Sequence, residues 1–150
     1  MNVKIWAALA LIAAPGIAAA QTVTECKDAF DADSIVEPWE ANSATYAKGE
    51  VRIAKLDMIE PAAVPFALLV LSPPRDEVGG RSCHIIHDDA GNGFAELDFE
   101  HRTSAYDAEN GLTLDFPVSS YQNADQEAEP VRLHVSINQQ TGKVSAWKSH

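Results

Sequence analysis

Three observations predict an all-β fold, an antiparallel sandwich or partly open barrel of about seven short strands carrying an irregular N-terminal arm. Short apolar runs recur at near-regular spacing from residue 49 to the C-terminus. Several of them alternate apolar and polar residues, the period-2 signature of a strand with one buried face. Clusters of Gly, Pro, Asn and Asp separate them, and these residues make turns. The alternative is an α+β arrangement, with a short N-terminal helix on one curved sheet.

The chain opens with one positive charge, Lys4, followed by "IWAALALIAAPGIAAA" without a charge. Ala18 and Ala20 supply the small residues of a cleavage site before Gln21, so residues 1–20 read as a secretory signal peptide. A membrane span is the alternative. The run falls short of about 20 apolar residues and is broken by Pro15-Gly16. Glu25, just before Cys26, argues against a lipid-attachment site. Processing would leave residues 21–150, enough for one domain with its own core.

Residues 21–48 lack a sustained period and predict an irregular arm, with a helical turn near Cys26. Pro38 should stop any helix there, and Trp39 and Tyr46 should plug the arm onto the body. The β-domain then occupies residues 49–150. Residues 50–59 carry Val51, Ile53 and then Leu56, a change of register that predicts a bulge. "FALLVLS" (66–72) is almost continuously apolar and should be the central strand. "PPRDEVGG" (73–80) is a loop, "RSCHIIH" (81–87) a strand, "DDAGNG" (88–93) a turn and "FAELDFEH" (94–101) an alternating strand. In "LTLDFPVSSY" (112–121), Leu112, Leu114, Phe116 and Val118 share one face. Pro117 lacks an amide proton, which predicts an edge position or a bulge. An acidic connection (122–130) leads to "VRLHVSIN" (131–138), the cleanest alternation of all. "QQTG" then turns into "KVSAW" with Gly142 in the left-handed region.

The formal net charge is −11, and removing Lys4 with the leader takes it to −12. The basic residues form no stripe. Such a surface repels phosphate backbones and anionic lipids, so no nucleic-acid partner and no membrane insertion after cleavage are expected. The two cysteines, Cys26 and Cys83, both fall in the exported part. In an oxidising compartment an even count reads as one disulfide. A redox pair would want the C-x-x-C spacing, which is absent.

The stretch "RSCHIIHDDAGNGFAELDFEH" (81–101) concentrates the chemistry-bearing side chains. Against the EF-hand pattern counted from Asp88, Asn92 and Gly93 fit, but Ala90 stands at the third position and Phe99 at the twelfth, where carboxylates belong. Against zinc, Cys83 and His87 share a strand face while His84 takes the other, and His101 and His134 are distant in sequence. Glu96, Asp98 and Glu100 line one face of their strand. They would either raise one another's pKa for acid/base work or form a solvated face paired with Arg132 or Arg52. Ser119-Ser120 lacks a nucleophile elbow. No catalytic, cofactor or metal residues are assigned, and no cofactor is expected.

"NSATYAKG" (42–49) resembles the inhibitory loop of periplasmic lysozyme inhibitors, through Ser43 and Tyr46 in an S-x-x-Y arrangement. Ala44 replaces the family's Gly after the Ser. The resemblance implies that Ser43 and Tyr46 contact a cationic lysozyme. "EPWEANSATYAKGEVRIAKLD", "FALLVLSPPRDEVGGRSC" and "GNGFAELDF" resemble small exported alphaproteobacterial proteins of no assigned function, over most of the mature chain. No catalytic residues come with that likeness. The expected function is that of a small periplasmic or secreted non-catalytic β-domain acting through a protein or envelope partner. Its expected surface combines residues 73–80 with the acidic turn 88–93. The alternatives are a hydrolase using the carboxylates or nearby histidines, a lysozyme-inhibitor-like protein, and a weak cation binder.

Overall fold

Ten strands among the described residues form two antiparallel sheets. The computed structural model describes residues 21–26, 30–88, 92–121 and 127–150. The leader expected over residues 1–20, the middle of the 88–93 turn and most of the acidic connection lie outside the described residues. The first sheet contains β1 (Thr22–Glu25), β2 (Ser43–Tyr46), β3 (Val51–Asp57), β4 (Phe66–Arg75) and β5 (Arg81–His87), in the order β1-β5-β4-β3-β2. The second runs β10-β9-β8-β6, from β6 (Glu96–Leu97), β8 (Gly111–Ser120), β9 (Glu129–Ile137) and β10 (Val144–Ser149). β7 (Thr103–Asp107) pairs with β8 alone.

Alternation builds the core between the sheets. Leu112, Leu114, Phe116 and Val118 of β8 and Val131, Leu133, Val135 and Ile137 of β9 meet Val51, Ile53, Leu68, Val70 and Ile86. Phe94, Leu97 and Phe99 close this layer. The other face of the first sheet is also covered. Leu56, Ala67 and Ile85 pack there under Cys26, Phe30 and Ile35 of the arm. β4 therefore needs apolar residues on both faces, which is why its sequence is almost unbroken, and it is the central strand of its sheet.

Double coverage also corrects the expected bulge in β3. Its register with β4 runs continuously from Arg52↔Leu71 to Asp57↔Phe66. Val51 and Ile53 face the inter-sheet core, while Ala54 and Leu56 face the arm side. The irregularity lies in β4, between Ser72 and Arg75, where Pro73-Pro74 interrupt the pairing with β5. β4 thus runs into the segment read as a loop.

The stretch read as an irregular arm supplies an edge strand at each side of the first sheet. β1 pairs with β5 and β2 with β3. Four-residue strands are too short for a period to register. Among the described residues, helical turns fall at Ala32–Ser34, at α1 (Trp39–Asn42) and at Ala47–Gly49, and residues 27–29 next to Cys26, where a turn was expected, lie outside them. Pro38 caps the start of α1; its fixed φ suits a helix entry and needs no amide proton there. Trp39 remains 45% exposed and plugs nothing, whereas Tyr46 packs on the core.

β8 is an interior strand in spite of Pro117. Asp98 N–H donates to the Pro117 carbonyl, so the Pro117 nitrogen faces the same side. β6 ends on that side at Leu97, paired with Val118, and β7 begins at Thr103, paired with Asp115. The missing donor falls in the gap between two partner strands. Gly142 has φ +76° and its N–H donates to the Asn138 carbonyl at 2.8 Å, as the hairpin reading required.

The sandwich is joined on one side and open on the other. Gln21 N–H donates to the Ala146 carbonyl at 3.2 Å, linking the start of β1 to β10. On the far side, β2 and β7 are edge strands of different sheets with a cleft between them.

Candidate functional site

The side chains concentrated in residues 81–101 disperse on folding. Cys83 is bonded to Cys26, with α-carbons 5.3 Å apart. That removes the thiolate a zinc site would use. His84 turns toward the inter-sheet side and His87 to the opposite face, because successive strand residues alternate. Among the described residues no group of three metal-ligating side chains comes together. The two loops expected to form one surface lie at opposite ends of β5, one before Arg81 and one after His87. A strand of that length separates them by roughly 20 Å. Asp88 is not available to a cation loop either. It is buried, and it accepts from Ser120 Oγ and from Lys148 Nζ.

The carboxylate row is interrupted because β6 ends at Leu97. Glu96 and Asp98 border a shallow groove of about 340 Å³ with Pro117, Ser119, Arg132 and His150, and Glu100 does not reach it. Asp98 accepts from the His101 backbone N–H at 3.1 Å and pairs with His101 Nδ1 at 2.8 Å. The backbone bond, more than any other contact, holds the Asp98 carboxyl below its ordinary value. A general acid needs the reverse shift. Arg132 borders the groove beside Glu96 and Asp98. Lys55 interacts with the row, and its amine sits 4.0 Å from the Phe66 ring centre. Burial lowers its pKa, and Glu96, Asp98 and Asp57 partly restore it.

His87 is buried, with Nε2 3.3 Å from Thr24 Oγ1 and Nδ1 without a partner. Burial pulls its pKa below the usual histidine value. The unfolded chain therefore takes up a proton near pH 6.5 that the folded chain refuses. His87 contributes no penalty above that pH, and stability is lost as pH falls from about 6.5 toward the lower folded value. Melting temperatures at pH 7, 6 and 5 should decline for the wild type and decline less steeply for His87→Gln. Equal slopes in the two proteins would refute this assignment.

Ser43 and Tyr46 sit at the two ends of β2. Ser43 Oγ donates to the Trp39 carbonyl at 2.8 Å, and Tyr46 Oη accepts from Arg102 Nε at 3.1 Å. Three residues apart on a strand, their side chains point to opposite faces.

Tyr46 instead helps form a cleft of about 530 Å³ between β2 and β7. Tyr46, Lys48, Ser104, Tyr106, Leu112 and Gln139 line it. Tyr106 is 68% exposed, and every residue of β7 is exposed. Edge strands present unpaired backbone donors and acceptors, a template for another strand. One lip of the cleft is strained. Ala47 and Lys48 have φ of 51° and 57°, followed by Gly49 at 89°. Non-glycine residues are held in the left-handed region at a cost of order 1–3 kcal/mol each, and such strain clusters at binding sites. Sequence reasoning missed this cleft. Its one visible sign was the pair of tyrosines, at 46 and 106, beside short polar segments.

No family model, no curated protein and no solved structure matches this chain.

Proposed function

We propose that this chain is a small exported β-domain that acts by binding a protein or envelope partner at the open seam between β2 and β7. One observation carries the reading: two unpaired strand edges from different sheets flank a cleft floored by Leu112 and rimmed by the exposed Tyr106 and the half-buried Tyr46. Strand addition at such an edge draws affinity from main-chain hydrogen bonds and specificity from adjoining pockets. Export is supported by the Cys26–Cys83 disulfide, which persists in oxidising compartments. No helix among the described residues is long and apolar enough to cross a membrane. The acidic balance favours a cationic partner segment.

The experiment is site-specific photocrosslinking in the producing cell. A benzophenone side chain at Tyr106 should give a discrete adduct. The same probe at Ile59, exposed and beyond the end of β3 opposite the one that pairs with Tyr46, should give none. Equal adducts at both positions, or none at Tyr106, would overturn the seam as the binding surface.

A further inference from the structure

The outer face of the second sheet holds an arrangement that the binding reading does not use. Asp115, His134 and Ser149 lie on three successive strands, β8, β9 and β10. Asp115 and Trp147 are both register partners of His134. Asp115 Oδ1 is 2.6 Å from His134 Nδ1, and Ser149 Oγ is 2.7 Å from His134 Nε2. The carboxylate can only accept, so Nδ1 carries the proton. In the neutral imidazole Nε2 then keeps its lone pair, and the Ser149 hydroxyl donates to it. Trp147 stacks on the imidazole at 5.2 Å and 17°, which fixes the ring plane. The order of hydrogen bonds, carboxylate to imidazole to hydroxyl, is that of an activated serine.

We propose that Ser149 is an activated nucleophile in an acyl-transfer site for short carboxylic esters. Ser149 Oγ bonds to the ester carbonyl carbon while its proton passes to His134 Nε2. The bond from that carbon to the alcohol oxygen breaks, and His134 returns the proton to the leaving oxygen. Water then attacks the acyl-serine as His134 takes its proton. The carboxylic acid leaves, and Ser149 Oγ regains the proton. Asp115 is a positioning residue that holds the tautomer.

Arg132 stands opposite Ser149 in register, and its side chain is exposed. It supplies positive charge for the oxyanion. The neighbouring groove is lined by Arg132, Pro117 and His150, which adjoin this array, and by Glu96 and Asp98 on its other wall. Those carboxylates, on a chain of net charge −11, favour neutral or cationic esters over anionic ones.

The test uses a fluorophosphonate probe on the exported protein, with the adduct mapped by peptide mass spectrometry. A single phosphonyl adduct on Ser149 is expected. Ser149→Ala should abolish labelling and melt like the wild type. His134→Ala should slow it by at least about a hundred-fold, the scale of lost general-base assistance. Asp115→Asn should slow it and change its pH profile, which loss of packing alone would not do. p-Nitrophenyl acetate turnover should fall in the same order. No adduct at Ser149, or a Ser149 labelling rate indifferent to both His134→Ala and Asp115→Asn, would overturn the proposal.

Discussion

Replacing Cys26 or Cys83 with serine should lower the melting temperature by on the order of 10 °C. The bond spans 57 residues of sequence. Closing a loop of that length removes enough freedom from the unfolded chain to stabilise the fold by about 4 kcal/mol in the chain-entropy model. The native-state reason is local. Cys26 follows directly on β1, a four-residue edge strand whose neighbours in the sheet are all on one side. Past Cys26, the arm lays Phe30 and Ile35 over Leu56, Ala67 and Ile85. Releasing the bond loosens both the edge strand and this cover. Each single mutant removes the same bond, so the double mutant should cost little beyond either one. Thermal melts of the three variants under oxidising and reducing conditions decide it. The wild type should approach the mutants once reduced. A single mutant that melts like the oxidised wild type would show that the arm is held by its packing alone.

What could be read in advance follows from the range over which each pattern acts. The alternation in residues 112–118 and 131–137 is long, and each face meets one environment, so strand and buried face could both be read. β3 and β4 are covered on both faces. Their apolar content was legible, but the second layer turned an unbroken register into an apparent bulge. Pro117 depended on where two other strands end, which no local pattern contains. The disulfide was legible because compartment and count left one pairing. Residues 81–101 crowd chemistry-bearing side chains in sequence, but density in sequence is not convergence in space. His84 and His87 diverge by strand alternation, and the strand carrying Glu96 ends before Asp98. Asp115, His134 and Ser149 are up to 34 positions apart in sequence, and the β8–β9–β10 register alone brings them into one row. The seam between β2 and β7 is likewise a property of topology, visible only once the sheet order is known.

Asp88→Asn should cost about 3 kcal/mol, the lower end of what breaking a buried ion pair removes. Asp88 and Lys148 side chains are only 7% and 13% exposed, and Lys148 Nζ lies 2.5 Å from Asp88 Oδ1. Lys148 Nζ also donates to Ser120 Oγ at 2.8 Å, and Ser120 Oγ donates to Asp88 Oδ2. Gln21 Nε2 approaches Asp88 Oδ1 at 3.5 Å. The cluster therefore ties the start of β1, the end of β5, the end of β8 and β10 at the joined side of the sandwich. Its members come from an alternating pattern that carries polar residues into inward positions. Ser120 continues the inward series of β8, and Lys148 that of β10 after Ala146. Removing the carboxylate charge takes from a largely buried ammonium the carboxylate it holds at 2.5 Å, and the uncompensated desolvation is the cost. Lys148→Met should cost a similar amount by stranding the carboxylate. Asp88→Leu combined with Lys148→Met should lie closer to the wild type than either single change, because an apolar pair leaves no buried charge. Screening should hardly change these losses in high salt, whereas the exposed Arg75–Glu50 pair would weaken. Denaturant unfolding of the wild type, Asp88→Leu, Lys148→Met and the double mutant closes the cycle and gives the coupling energy. Strictly additive losses, or single mutants within about 0.5 kcal/mol of wild type, would mean that the cluster does not fasten the two sheets.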